Sequence, residues 1–298
     1  MRSAKAWKEL ERKYAEYYRM QAEIASLAIW EDRISLEKLS LVGGADQAFI
    51  LREHEETIIS AVVVLAYPSL EVVERAFAVM PVNFPYIPGL LAFREAPAIA
   101  EAFKRLKRKP EVLFVDGCGV NHPRFAGLAT HVGVSLDVAT IGVAKKLLCG
   151  RGEIPEKEGE ATEIRFKGRV VGFFLKSKRG CRPIIVAPGH KISLSTALEL
   201  TKRCIRKHKL PEPTRIAHNY ANEIKKKFKN GSNSSNNSNS DNSDGRDSRE
   251  GREGRNSSDT ARGSSQANLQ GSDDRENDVE EAVHSRAFTN ERSFQYVT

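Results

Sequence analysis

A chain of 298 residues with 47 Lys plus Arg against 39 Asp plus Glu has room for one large domain or two small ones, at a formal net charge of +8. That charge is unevenly placed: residues 231–298 hold 8 Arg, no Lys and 13 acids, which leaves 39 basic and 26 acidic residues before them, a net of +13. A body so cationic argues against a basic partner and for a polyanion, nucleic acid or an acidic membrane surface.

Residues 231–298 are mostly Ser, Asn, Asp, Gly, Arg and Glu, with isolated apolar positions. They offer too little apolar surface to offset ordering entropy and are predicted to form a disordered low-complexity tail behind a folded domain, residues 1–230. The start, MRSAKAWKELERKYAEYYR, is charged throughout, and no apolar run approaches the ~18 residues of a membrane span, so a soluble cytoplasmic protein without membrane attachment is expected. Cys118, Cys149, Cys181 and Cys204 include no C-x-x-C pair and are expected as free thiols. Cys118 with His122 and His131 lacks a fourth ligand at a recognisable spacing, so zinc is not expected there.

In chain order, residues 5–30 place Trp7, Leu10, Tyr14, Tyr17, Ala22, Ile24 and Leu27 at helical spacing among charges. LSLVGGADQAFI, residues 39–50, predicts a short strand running into paired glycines and Asp46, then a charged hairpin at 52–56. Residues 58–66 are apolar and β-branched, and residues 71–80 partly alternate, which with the Asp46 strand predicts an antiparallel three-stranded meander. In FPYIPGLLAFRE, residues 84–95, two prolines flank Tyr86 and Ile87 and forbid helix, so a stiff loop presents an aromatic ring. A helix follows to about 107, with Glu95 in its first turn or two and Pro110 ending it.

VLFVDGCGVNHPR, residues 112–124, is the informative stretch. Four apolar residues without alternation suit a central strand covered on both faces, and Asp116-Gly117 ends it. Binding sites in open α/β sheets lie at the carboxyl ends of strands, which puts Asp116 where chemistry is expected. Gly117 and Gly119 flank Cys118 and would let a ligand approach the backbone. Pro123 predicts the start of a helix to about 134, and residues 137–143 a strand with Lys145 and Lys146 beyond it. A hairpin over 164–176, a strand at 183–187, a capped helix from Ser193 and a last helix carrying His218 and decaying at 225–229 complete the chain.

Taken singly, Asp46, Glu95 and Asp116 read as ordinary cap or turn residues. Converging from three elements, they would suit a hard divalent cation, which takes carboxylate oxygens and keeps several waters. The order of elements, a meander with an acid in its first strand, then a helix, then a parallel strand ending in an acid, matches the ribonuclease H-like architecture: α/β, a mixed sheet flanked by helices. The strings VGGADQAF, YPSL, FPYIPGLLAFRE, FVDGCGVNHPR, LATHVGV, TIGVAKK, APGH and PEPTRIAH, spanning about residues 39–218, resemble the endonuclease V family in the family's order.

The resemblance implies that Asp46 and Asp116 are the principal ligands of Mg²⁺, with Mn²⁺ as a substitute, and Glu95 a third acid. It implies that Lys145 meets the scissile phosphate and that His218 handles a proton or orients water. Pro85, Tyr86, Ile87 and Pro88 correspond to a wedge inserted into the duplex, Gly89, Leu91, Gly117 and Gly119 to the pocket for the displaced base, and His122 and His131 to further histidines near the site. Cys118 stands where family members often carry Gln or His, which bears on the pocket wall. The implied activity is a metal-dependent DNA repair endonuclease, expected as a monomer, that recognises deoxyinosine and cuts the second phosphodiester 3′ to it, leaving 3′-hydroxyl and 5′-phosphate ends. The alternatives are cleavage of inosine-containing RNA, since no motif reports contacts to the 2′-hydroxyl, and a non-cleaving nucleic-acid binder on the same fold.

Overall fold

The structure, a computed structural model, describes residues 12–52 and 55–233. The expected tail from residue 234 onward, the first turns of the N-terminal helix and the tip of the 52–56 hairpin lie outside the described residues. Helix α1 (Ala15–Leu27) precedes the meander of β1 (Leu41–Arg52), β2 (Glu55–Ala66) and β3 (Val72–Pro81). Then come α2 (Leu91–Lys104), β4 (Val112–Asp116), α3 (Leu128–Leu136), β5 (Ala139–Ala144), β6 (Ala161–Phe166), β7 (Arg169–Leu175) and β8 (Ile184–His190). Helices α4 (Leu194–Cys204) and α5 (Glu212–Asn233) close the described chain.

The eight strands form one sheet in the order β3-β2-β1-β4-β5-β8-β7-β6. β1 pairs antiparallel with β2 and parallel with β4, and β4 pairs parallel with β5. This is the ribonuclease H-like arrangement that the element order predicts. Alternation sorts the side chains into two layers. Val42, Ala48 and Ile50 of β1 face α4 and α5 through Ala197, Leu200, Ala217, Ala221 and Ile224, whereas Ala45, Val62 and Val64 face α2 and α3 through Ala92, Ala96, Ile99, Leu128 and Val132. With both faces covered, residues 58–65 of β2 are buried without interruption, which is why the run reads as continuously apolar. Among the described residues no helix is long and apolar enough to cross a membrane.

Three expectations are corrected. The Gly43-Gly44 pair does not end a short strand, because β1 runs straight through it for 12 residues. A Cβ on Gly44 would sit 1.9 Å from the Pro213 carbonyl oxygen and one on Gly43 2.7 Å from Pro110 Cγ, so the glycines admit neighbouring chain rather than a turn. Pro123 does not open a helix: the Phe125 N–H is held by the His122 carbonyl at 2.9 Å and Phe125 takes φ +56°, so helix starts at Leu128. The last helix does not decay at 225–229 but continues to Asn233, its apolar face held by Ala217, Ala221 and Ile224.

Candidate active site

In the parallel pair of β1 and β4 the last partners are Ala45 and Val115, so Asp46 and Asp116 follow side by side, one strand spacing apart. Asp46 lies in the middle of its strand, because β1 continues past the point where β4 stops. It points to the face covered by α5, where its Oδ2 accepts the His218 Nδ1–H at 2.6 Å while Oδ1 accepts the Gln47 backbone N–H at 2.7 Å. Gly44 makes this meeting possible by letting the start of α5 lie against β1. Lys145, just past the end of β5, donates to Asp116 Oδ2 at 3.1 Å.

Glu95, in the second turn of α2, is 7 % exposed. Burial drives its carboxyl up to about 8; Arg94 beside it pulls the other way, and the negative fields of Asp46 and Asp116 push it further. Asp116 is also raised, first by burial and then by Asp46, against the pull of Lys145 and His218. The three acids therefore feel one another's charge and form one electrostatic unit. The hydrogen bond to Asp46 raises His218 and favours its imidazolium. With the proton on Nδ1, the neutral ring keeps its lone pair on Nε2, which the Asn222 side-chain amide meets at 3.1 Å.

Oxygen donors that repel one another fit a hard divalent cation, which needs only one or two carboxylates when phosphate and water complete its shell. Among the described residues no three His, Cys, Asp or Glu side chains are arranged to enclose a metal ion alone. Asp46 and Asp116, side by side across the β1–β4 pair, are the two oxygen donors that the sheet itself brings together.

The remaining predicted residues gather at a second locus. Pro85, Tyr86, Ile87 and Pro88 form the loop before α2; Tyr86 is 50 % exposed, while Ile87 is buried beside Phe84, Leu90 and Phe93. Gly89 has φ +81° and the Leu90 N–H returns to the Ile87 carbonyl at 2.9 Å, the marks of a type II turn with Pro88 and Gly89 at its centre. His122 meets the Gly89 carbonyl at 3.1 Å and His131 stacks edge-on against Phe93, so both histidines belong to the support of this loop rather than to the acids. Burial lowers each of them to about 4 and keeps both rings neutral.

The glycines around Cys118 act differently from the reading that they clear space for a ligand. A Cβ on Gly119 would meet the Pro188 carbonyl oxygen at 2.2 Å and one on Gly117 the Leu128 side chain at 3.1 Å, so protein occupies that space. Their N–H groups donate inward as well, Gly117 to Val143 O at 3.0 Å and Gly119 to Asn121 Oδ1 at 2.8 Å. Burial pushes the Cys118 thiol up to about 12, leaving it inert.

Sequence reasoning missed Asn222, Gln21 and Arg124. Asn222 sits four residues after His218 on one helix face, a spacing that could have revealed it. The other two are brought to the loop by tertiary contacts alone.

Paired carboxylates with a lysine and a histidine, on a cationic ribonuclease H-like body, define a nuclease. The family profile of Endonuclease V matches residues 22–219. Endonuclease V of Gloeobacter violaceus is 46% identical over 192 residues, 64% of this chain and 78% of that protein. The crystal structure of Endonuclease V from Streptomyces avermitilis superposes with a TM-score of 0.67 at 34% identity, covering 72% of this chain and 94% of that one. The catalytic domain of human Endonuclease V gives 0.68 at 31%, covering 73% and 98%. Ciona intestinalis Endonuclease V, crystallised with a 23mer DNA containing an inosine followed by a ribo-adenosine, gives 0.66 at 31%, covering 73% and 99%. The chain belongs to the endonuclease V family.

Proposed function

We propose that this chain is an inosine-directed DNA repair endonuclease that cuts the second phosphodiester 3′ to deoxyinosine and leaves 3′-hydroxyl and 5′-phosphate ends. The observation that carries this reading is the electrostatic coupling of Asp46, Asp116 and Glu95 beside Lys145 and His218. A pure binder has no use for buried acids where a phosphate must lie. Asp46 and Asp116, with Glu95, would hold Mg²⁺ or Mn²⁺, which when bound supplies positive charge to the phosphodiester and lowers the pKa of water. Lys145, now on Asp116, is placed to turn its ammonium to a non-bridging phosphate oxygen and offset the charge that builds there. His218 takes or returns a proton through Nε2 while Asp46 fixes its ring at Nδ1.

Tyr86, on its turn of prolines, is the group that fills the stack when the base leaves it. We place the displaced base against Gly89 and Leu91, on the open side of the turn. The Gly117 and Gly119 N–H groups already bond within the protein, so donors to the base come from the 89–91 side, where Leu91 opens α2 with an N–H that has no helical partner. Basic residues at 176–182 and 202–209 supply contacts to phosphates that ignore sequence.

A second reading, cleavage of inosine-containing RNA, is favoured by one observation: the Ciona relative was crystallised with a ribo-adenosine after the inosine. The test is strand cleavage with Mg²⁺ on matched end-labelled DNA and RNA oligonucleotides, each with one inosine, beside unmodified controls. A cut between the inosine's 3′ neighbour and the nucleotide after it in DNA supports the repair reading, whereas preference for RNA selects the second. Binding without a cut in either overturns both.

A further inference from the structure

Three donors from the body converge on one atom of the loop that carries Tyr86, the carbonyl oxygen of Gly89. Gln21 Nε2 of α1 donates to it at 2.8 Å, Arg124 Nη2 at 2.9 Å, and His122 Nε2 approaches at 3.1 Å. Because a carbonyl only accepts, His122 must carry its proton on Nε2. Its Nδ1 is then an acceptor, and it meets the Arg124 backbone N–H at 3.2 Å. The donors are also tied to one another, since Arg124 Nε donates to Gln21 Oε1 at 2.5 Å. The Gln21 amide is therefore fixed in orientation, and its Nε2 also reaches the Ala126 carbonyl at 3.4 Å.

This arrangement is built rather than incidental. Gln21 is 1 % exposed, so its amide was desolvated to be here, a cost that only satisfied hydrogen bonds offset. The Arg124 guanidinium lies 4.3 Å from the centre of the Tyr18 ring, one turn before Gln21 on the same helix. Tyr14, Tyr17, Tyr18 and Met20 of α1 pack against Phe84, Ile87, Leu90 and Phe93, the apolar base of the loop. Both ends of the Gly89–Leu90 peptide are thus held, the oxygen by three donors and the nitrogen by the Ile87 carbonyl. A Cβ on Gly89 would come within 2.9 Å of Arg124 Nη2, so the clamp also needs glycine here. Gln21 and the tyrosines precede the segment that the family profile matches, residues 22–219.

We infer that helix α1, through Gln21 and Arg124 on the Gly89 carbonyl, is a brace that holds the Tyr86 loop rigid against the load of opening a base pair. The inference rests on the proposed inosine endonuclease and names positioning residues for its base-extrusion step. A loop that must push into a stack works only if its mount does not yield. A duplex opposes it with stacking and pairing, and a single strand offers far less resistance.

The brace is tested with Gln21→Met, which keeps volume and removes the amide, and with Arg124→Lys, at a partly exposed position that tolerates change. The first readout is hydrogen exchange of the Leu90 amide, held by the Ile87 carbonyl, in the unliganded protein. The expected result is about tenfold faster exchange there, the value of one buried hydrogen bond, with the β1 amides unchanged. The second is single-turnover cutting of one inosine strand, alone and paired. The variants should lose about tenfold on the duplex and no more than about threefold on the single strand. Unchanged exchange at Leu90, or equal losses on the two substrates, overturns the brace. If the unaltered protein cuts neither substrate, the nuclease reading is what fails, and the exchange data still decide whether the clamp holds the loop.

Discussion

Replacing Gly44 by Ala tests the link between the packing of β1 and the catalytic constellation. The added methyl carbon would lie 1.9 Å from the Pro213 carbonyl oxygen, 2.2 Å from its carbonyl carbon and 2.9 Å from its Cα, all backbone atoms without a rotamer to change. Since an ordinary carbon–oxygen contact needs about 3.2 Å or more, the start of α5 must retreat by over about 1 Å. Overpacking of this kind costs about 1–3 kcal/mol. For a domain of this size that lowers Tm by roughly 2–12 °C. The same retreat carries His218, little more than one turn further along α5, away from Asp46, where the bond is now 2.6 Å. A misplacement near 1 Å at a reacting centre costs on the order of 10²-fold. Differential scanning calorimetry and single-turnover cutting of an inosine duplex, with Gly168→Asn as control, measure both. Gly168 sits in the β6–β7 turn at φ +76° with nothing within 4 Å of an added Cβ, and Asn accepts that backbone, so little change is expected there. If Gly44→Ala keeps both Tm and rate, α5 is not seated against β1 as described.

The other expectations concern the acids and their partners. Asp46→Asn should abolish cutting while leaving inosine-DNA binding measurable by anisotropy; full activity in this variant would remove Asp46 from the site. Lys145→Ala should slow the chemical step by about 10²–10³-fold with little change in stability, because the Lys145–Asp116 pair is half open to solvent. In metal-free protein the folded Glu95 binds its proton up to about 8 against an ordinary 4.5, so the folded state holds more protons than the unfolded one between these values and stability falls as pH rises through that window. Glu95→Gln should flatten the decline in urea-unfolding free energy from pH 5 to 8, and an unchanged slope would show that Glu95 is not the group responsible. Added Mg²⁺ should raise Tm, by about 2.7 kcal/mol of stabilisation at a hundredfold excess over Kd, and Asp116→Asn should remove most of that rise.

The meander, the β4 strand and the capped helix at Ser193 were legible because each rests on a local signal: apolar runs, an Asp-Gly stop, a hydroxyl that accepts the Thr196 N–H at 3.2 Å. Gly43-Gly44 misled because two glycines stop a strand unless another part of the chain presses on them. Pro110 and Pro213, which do press, are remote in sequence. Pro123 misled in the same way, since a proline at a first helical position and one in a turn look alike until the Phe125 N–H is seen on the His122 carbonyl. The resemblance named Asp46, Glu95, Asp116, Lys145 and His218, and their coupling is visible only in three dimensions. Gln21 lies on a helix whose stripe reads as ordinary packing, and nothing short of the fold brings it to Gly89.

The two loci of the site solve opposite physical problems. The acids are held in mutual repulsion: burial and like charge raise Glu95 and Asp116, against the pull of Arg94 on Glu95 and of Lys145 and His218 on Asp116. On the proposed function, a divalent cation held by these acids would offset their mutual repulsion and place binding energy where bonds change. The Tyr86 loop is the reverse, with its polar groups satisfied and its apolar base packed before substrate arrives. On the proposed function, rigidity there would remove the entropy cost of ordering a wedge at the moment it acts. In the proposed endonuclease, a charged centre beside a preorganised loop would divide the work of opening a helix and then hydrolysing its backbone.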